Sequence, residues 1–240
     1  MTTTATALQA VTRRVARAAA EAGRPAEDIR LLAVSKTFSA EAVREAWAAG
    51  QHAFGESYLQ EALAKMEALR DLPLEWHFIG PIQSNKTRPI AEHFAWVHSV
   101  DRPKIADRLS AARPARLPDL QVCLQVNVSN EPSKHGVAPE DLPALARHVQ
   151  ALPRLRLRGL MAIPEPTSDV SLQRRRFRAL RELLERLNAQ GFRLDTLSMG
   201  MSADLEAAIA EGATMVRVGS AIFGQRPRLH RKGRESLRNA

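Results

Sequence analysis

The sequence has one cysteine in 240 residues, Cys123, so no disulfide framework can form within the chain, and a lone thiol fits a reducing compartment. Cys123 lies inside the apolar run LQVCLQVNV and reads as a small buried hydrophobe. Aromatic residues are scarce, at 5%, with Tyr58 the single tyrosine, so a core must be built from Leu, Val, Ile, Ala and Met. The N-terminal stretch MTTTATALQAVTRRVARAAAEAG lacks a charged start followed by an apolar run, and arginines interrupt its apolar residues. It reads as neither a signal peptide nor a membrane span; a mitochondrial presequence is the lesser alternative, since acidic residues are absent until Glu21, and the expected location is the cytoplasm. Internal repeats, low-complexity tracts and long linkers are absent. Pro114 and Pro118 mark a loop, not a domain boundary.

Hydrophobic residues make up 45% of the chain, enough for one sizeable core at this length. The net charge of +9 invites a nucleic-acid reading. Its distribution argues against one, because the tail QRPRLHRKGRESLRNA alone carries six Arg/Lys against one Glu. That tail reads as a solvated end without base-stacking aromatics. RNA binding through it would show as strong salt dependence, lost on deleting residues 226–240.

Eight short apolar runs alternate with longer helical patterns. They are IRLLAVS (29–35), HAFGE (52–56), EWHFIG (75–80), WVHSV (96–100), LQVCLQVNV (120–128), LRLRGLMAI (155–163), LDTLSM (194–199) and TMVRVG (214–219). Ahead of them, Leu8, Val11, Val15 and Ala18 fall at helical spacing and Gly23 stops the helix. SAEAVREAWAAG opens at Ser39 as N-cap and stops at Gly50. SLQRRRFRALRELLERLNAQG stops at Gly191, and SADLEAAIAEG reads as a helix capped by Ser202 and closed by Gly212. Eight strands, each followed by a helix, predict a single (β/α)8 TIM barrel over residues 1–225 with an extra N-terminal helix, followed by a basic tail at 226–240. A doubly wound open sheet is the competing α/β architecture.

The chemistry of such a barrel sits at the C-terminal strand ends. There the sequence offers Lys36, Glu56, Gly80, Asp101, Asn127, Ser198, and the pair Gly219 and Ser220. SMGMS and RVGS place Gly200, Ser202, Gly219 and Ser220 in the loops after strands seven and eight, the usual phosphate position of this fold. Arg217, two residues before Gly219, shares that residue's face of the strand. It is permanently charged, so it needs a carboxylate, a phosphate or a ring acceptor, and an ion pair with Glu56 or Asp101 is the structural alternative. Lys36 ends the first run. Burial and a nearby cation both depress a lysine pKa, and a neutral amine can attack an aldehyde. Lysine, phosphate loops and arginine together suit pyridoxal 5′-phosphate (PLP).

The stretches LLAVSKTFSAEAVREAWAAGQHAFGESYLQEA, LEWHFIGPIQSNK, LRLRGLMAIPEP and LSMGMSADLEAAIAEGATMVRVGSAIFG resemble the PLP homeostasis protein family over residues 5–225. The resemblance implies an alanine-racemase N-terminal-domain-like barrel with PLP covalently bound as a Schiff base on Lys36. It implies Ser202, Gly219 and Ser220 holding the phosphate, Arg217 facing the pyridine nitrogen, and Met199 and Ser57 among the cofactor-binding residues. An arginine there keeps that nitrogen unprotonated and the cofactor a poor electron sink. The family reads FGENY where this chain reads FGESY, so Ser57 replaces an expected asparagine. Sequence assigns no role to His77, Gln83, Asn85 or Lys86.

The function so implied is binding PLP in intracellular vitamin B6 homeostasis, with delivery to apo PLP-dependent enzymes, as a monomer, without established catalysis. An amino-acid racemase is the alternative, but two-base racemisation needs a second proton-transfer group, and relatives take a tyrosine from an added domain that this chain has no room for. A Schiff-base aldolase acting on a phosphosugar is the third reading.

Overall fold

The computed structural model describes residues 3–129 and 135–225. The basic tail therefore lies outside the described residues. All eight runs form strands: β1 (Arg30–Val34), β2 (Ala53–Glu56), β3 (Glu75–Phe78), β4 (Trp96–Val100), β5 (Leu120–Gln125), β6 (Leu155–Met161), β7 (Thr196–Ser198) and β8 (Met215–Val218). They pair in sequence order, all parallel, and β8 closes on β1 through Arg30↔Met215 to Ala33↔Val218. The open-sheet alternative is thereby excluded. The register shifts between Val97 and Val100 and between Val122 and Cys123.

The intervening helices are α2 (Ala40–Ala48), α3 (Leu59–Ala68), α4 (Thr87–His93), α5 (Pro103–Ala112), α6 (Leu142–Gln150), α7 (Val170–Ala189), α8 (Leu205–Ala210) and the short α9 (Ser220–Phe223). The leading helix α1 (Thr4–Glu21) buries Leu8, Val11, Val15 and Ala18, the stripe its spacing predicts. It lies against α8 and α9. The Ser39 hydroxyl caps α2 by accepting from the Ala42 N–H at 3.3 Å.

Two helix starts differ from expectation. α7 begins at Val170, because the Asp169 carboxylate accepts from Ser171 N at 2.8 Å and Leu172 N at 3.1 Å. Ser202 is not the cap of α8: that helix starts three residues later behind Asp204, whose carboxylate accepts from Met201 N at 2.6 Å. The Asp204 bond to Met201 holds residues 201–204 in a turn, which delays the helix.

The core divides into a shell and a lumen. The shell, between strands and helices, is continuous and includes Ala33, Phe54, Phe78, Val97, Val122, Leu160, Leu197 and Val216. Inside the barrel the apolar packing is broken into two small groups, Leu32–Ala53–Met215 and Trp96–Cys123–Met161. Between them run polar side chains. Cys123 is fully buried, as expected, and burial pushes its thiol up to about 12. Gly159 of β6 faces the backbone of β7 so closely that a Cβ would collide with the Thr196 carbonyl oxygen.

Candidate functional site

β1 ends at Val34, and its chain continues through the buried Ser35 to Lys36. Lys36 lines a cavity of about 820 Å³ at the C-terminal mouth of the barrel, together with Ser57, Tyr58, Gly80, Lys86 and Arg102. Ser57 stands at the edge of β2, and its backbone packs so tightly on Gly80 that any side chain there would clash.

The backbone after Lys36 is strained. Thr37 takes φ +72°, a left-handed conformation that costs a β-branched residue about 1–3 kcal/mol. Its N–H donates to Glu61 Oε1 at 2.5 Å. The Lys65 ammonium fixes that carboxylate from below, donating to Glu61 Oε1 at 2.6 Å, Glu56 Oε1 at 2.8 Å and the Ser35 carbonyl at 2.6 Å. The Ser35 hydroxyl also donates to Glu56, at 2.6 Å. Burial raises the Glu56 pKa above the carboxylate norm, and Lys65 opposes the rise. A buried lysine on α3 thus braces the loop after β1 that carries the half-buried Lys36. Nothing in the local sequence of α3 marks Lys65 as special; only its position on the face toward β1 does.

The remaining expected residues lie on the adjoining rim. Gly219 follows β8 beside the end of β1, where a Cβ would stand 3.0 Å from the Val34 carbonyl oxygen. Ser220 is exposed and opens the short α9, where the Gly219 carbonyl accepts from Ile222 N at 2.9 Å and Phe223 N at 3.0 Å. Gly200 turns the chain after β7 with φ +90°, and its carbonyl accepts from Arg217 N at 2.9 Å. Ser202 sits in the turn that follows. Its carbonyl accepts from Arg14 of α1 at 2.9 Å, while Arg14 pairs with Glu206 at 2.5 Å. The side chain of Met199 belongs to the apolar shell and is fully buried, so it has only backbone atoms to offer the rim.

Arg217 points into the lumen and is 4% exposed. It pairs with neither Glu56 nor Asp101: Glu56 is held by Lys65, and Asp101 bonds Arg102 at 2.6 Å. Its guanidinium donates instead to the Ser198 carbonyl (2.6 Å), the Ser198 hydroxyl (2.7 Å) and the Ala162 carbonyl (2.9 Å), all uncharged acceptors. Burial lowers its pKa to about 10, with Asp204 pulling the other way, so it stays a cation at neutral pH. Ser198 in turn touches His98, and His98 touches His77, at 2.8 and 2.9 Å. Sequence reading gave His77 no role and did not single out His98. The signal was alternation: EWH and WVH put Glu75, His77, Trp96 and His98 on lumen-facing positions.

Lys36 and Ser57 therefore share one cavity, while Arg217, Gly219, Ser220, Ser202 and Gly200 form the neighbouring arc of the same rim. Among the described residues no group of His, Cys, Asp and Glu could hold a metal ion, and no helix is long and apolar enough to cross a membrane.

The alanine racemase N-terminal domain family matches residues 6–227, which take in the whole closed parallel barrel. Alanine racemase from Streptomyces coelicolor shares this fold at 22% identity and TM-score 0.69, with 92% of this chain covering 58% of the racemase. Nearer relatives narrow the class. The pyridoxal phosphate homeostasis protein of Pseudomonas aeruginosa is 67% identical over 226 residues, 94% of this chain and 97% of that one. PipY of Synechococcus elongatus, solved with PLP bound, is 41% identical with TM-score 0.78, covering 88% of this chain and 100% of PipY. The chain belongs to the pyridoxal phosphate homeostasis protein family.

Proposed function

We propose that this protein binds PLP covalently on Lys36 in the mouth cavity and serves cytoplasmic PLP homeostasis and delivery to apo PLP-dependent enzymes, as a monomer that does not itself turn over substrate. The observation that carries the reading is Lys36 lining a cavity beside a rim with a buried cation and two glycine turns. The donor set fits the group. Arg217 can only donate, so a ring nitrogen facing it is kept as an acceptor. Gly219, Ser220 and Ser202 would hold the phosphate through backbone and hydroxyl donors. PLP, when bound, supplies an aldehyde for a lysine amine and an electron-withdrawing ring.

This chain's own residues then do three things. The Lys65–Glu61 brace keeps the strained Thr37 in place and so fixes where Lys36 leaves the barrel. Arg217 sets the charge beneath the site. The cavity stays open at Tyr58, which is 54% exposed, so a bound group remains reachable from solvent. Tyr58 is also the only tyrosine in the chain, and it stands at the cavity rim, whereas proton transfer on both faces of a substrate needs a second group opposite the lysine.

The test is an absorption spectrum of the purified protein, followed by borohydride reduction and peptide mass mapping. A pyridoxyl adduct on the peptide containing Lys36, lost in Lys36→Ala, supports the reading. An adduct retained in Lys36→Ala, or no uptake of added PLP, overturns it.

A further inference from the structure

The barrel lumen contains a polar chain that the proposed site does not require for contact. Glu75 begins β3 at the opposite rim, with Arg30 donating to its Oε1 at 2.7 Å. His77 Nε2 lies 2.5 Å from the same oxygen. His77 Nδ1 lies 2.9 Å from His98 Nε2, and His98 Nδ1 lies 2.8 Å from Ser198 Oγ. Ser198 Oγ accepts from Arg217 at 2.7 Å. Both histidines and Ser198 are fully buried, and His77 stacks on Trp96 with ring centroids 5.4 Å apart.

The two ends of this chain fix every proton in it. Glu75 is ionised: burial pushes its pKa up, but the bond from His77 and the charge of Arg30 bring it below the norm. A carboxylate only accepts, so His77 Nε2 carries a proton. His77 is neutral, its pKa lowered by burial to about 4, so its Nδ1 is an acceptor and His98 Nε2 carries the next proton. Burial also holds His98 well below its ordinary value, so its Nδ1 accepts from the Ser198 hydroxyl. That hydroxyl, with its proton directed at His98, presents a lone pair to Arg217, which can only donate. Each bond satisfies the next, and no alternative arrangement of neutral rings satisfies both ends.

We propose that Glu75, His77, His98 and Ser198 form a one-way hydrogen-bond chain across the lumen that positions Arg217 beneath the Lys36 site. Arg217 is therefore oriented from the far rim of the barrel. The chain turns the Ser198 hydroxyl into an obligate acceptor and locks the guanidinium plane against β7. These are positioning residues; none reaches the cavity. Where the consequence concerns a bound ring, the inference rests on the PLP reading above.

Two measurements separate the two. The first needs no cofactor: nitrogen-15 NMR of the histidine rings in the cofactor-free protein. The expected result is a neutral ring with its proton on Nε2 at both His77 and His98 at pH 7. A proton on Nδ1 of either ring, or an imidazolium, would overturn the chain even if PLP binds. The second is PLP titration with absorption spectra of His98→Leu and His98→Asn. Leu removes the acceptor for Ser198, whereas the Asn side chain can keep an oxygen where Nδ1 stood. The Leu variant should weaken PLP binding by about tenfold and move its absorption maximum, and the Asn variant should recover most of both. Equal behaviour of the two variants, or wild-type spectra in both, would refute the positioning role. Failure of wild-type protein to bind PLP, with the Nε2 protons found as expected, would instead remove the PLP reading and leave the chain standing.

Discussion

Lowering the pH from 7 to 5 should destabilise this protein through its lumen. His77 and His98 are fully buried, and burial is the main reason that each resists a proton. His77 falls from the ordinary 6.5 to about 4 despite the opposing pull of Glu75. His98 is held well below 6.5, by burial first and then by His77, Arg217 and Arg30. In the unfolded chain both rings titrate normally. As pH falls, the unfolded state therefore binds protons before the folded state does. The stability these groups contribute is complete above about 6.5 and is lost as pH falls from there toward 4. At pH 5 the unfolded His77 is about 1.5 units past its midpoint, which at about 1.4 kcal/mol per unit makes the loss about 2 kcal/mol. His98 adds in the same direction. Glu56 and Asp204, whose pKa values burial raises, act in the opposite direction, so the wild-type slope alone does not isolate the histidines. The assay compares urea unfolding of wild type and His77→Gln at pH 7 and pH 5. The variant should be less stable at pH 7 and should lose about 2 kcal/mol less on acidification. Equal losses would mean that His77 takes up its proton while folded, and the neutral lumen would be wrong.

Three other perturbations have defined outcomes. Lys65→Met leaves Glu56, Glu61 and the Ser35 carbonyl without their shared cation, and denaturant unfolding should show a loss of about 3–5 kcal/mol; an unchanged midpoint would remove the brace under Thr37. Gly159→Ala forces β6 away from the Thr196 carbonyl and should cost at least about 1–3 kcal/mol, read as a lowered Tm. A stable variant would mean that β6 and β7 can separate without loss. Ser39→Ala removes the cap of α2 and should cost about 1 kcal/mol in the same assay, with no change in the far-UV spectrum.

The strands and helices were legible because their signals are local. A run such as IRLLAV is apolar on both faces, which suits a parallel strand enclosed on both sides, and Leu8, Val11, Val15 and Ala18 repeat at the helical period. The start of α8 was misread for a local reason too: serine is a favoured cap, but Asp204 competes for the same turn by accepting from Met201. The site was legible in part. Lys36, Gly219 and Ser220 could be placed on one rim by counting strand ends, and Arg217 on the inner face by alternation. Its partners could not. Ser198 and His98 are 100 residues apart, and no spacing rule joins them. Lys65 looks like any other lysine of an amphipathic helix.

Sequence alone thus determined the elements and their order, because periodicity and capping act over a few residues, but it ran β1, β3 and β5 on to Lys36, Gly80 and Asn127 where the ladders stop at Val34, Phe78 and Gln125. The tertiary structure decided the company those residues keep. Closure of β8 onto β1 brings the Gly219 turn beside the end of the strand that leads to Lys36. Barrel tilt and register decide that His77, His98, Ser198 and Arg217 meet at one depth in the lumen. Pleating tells which way a side chain faces, but only the closed sheet fixes how far along the axis it sits, and hence which polar groups can satisfy one another.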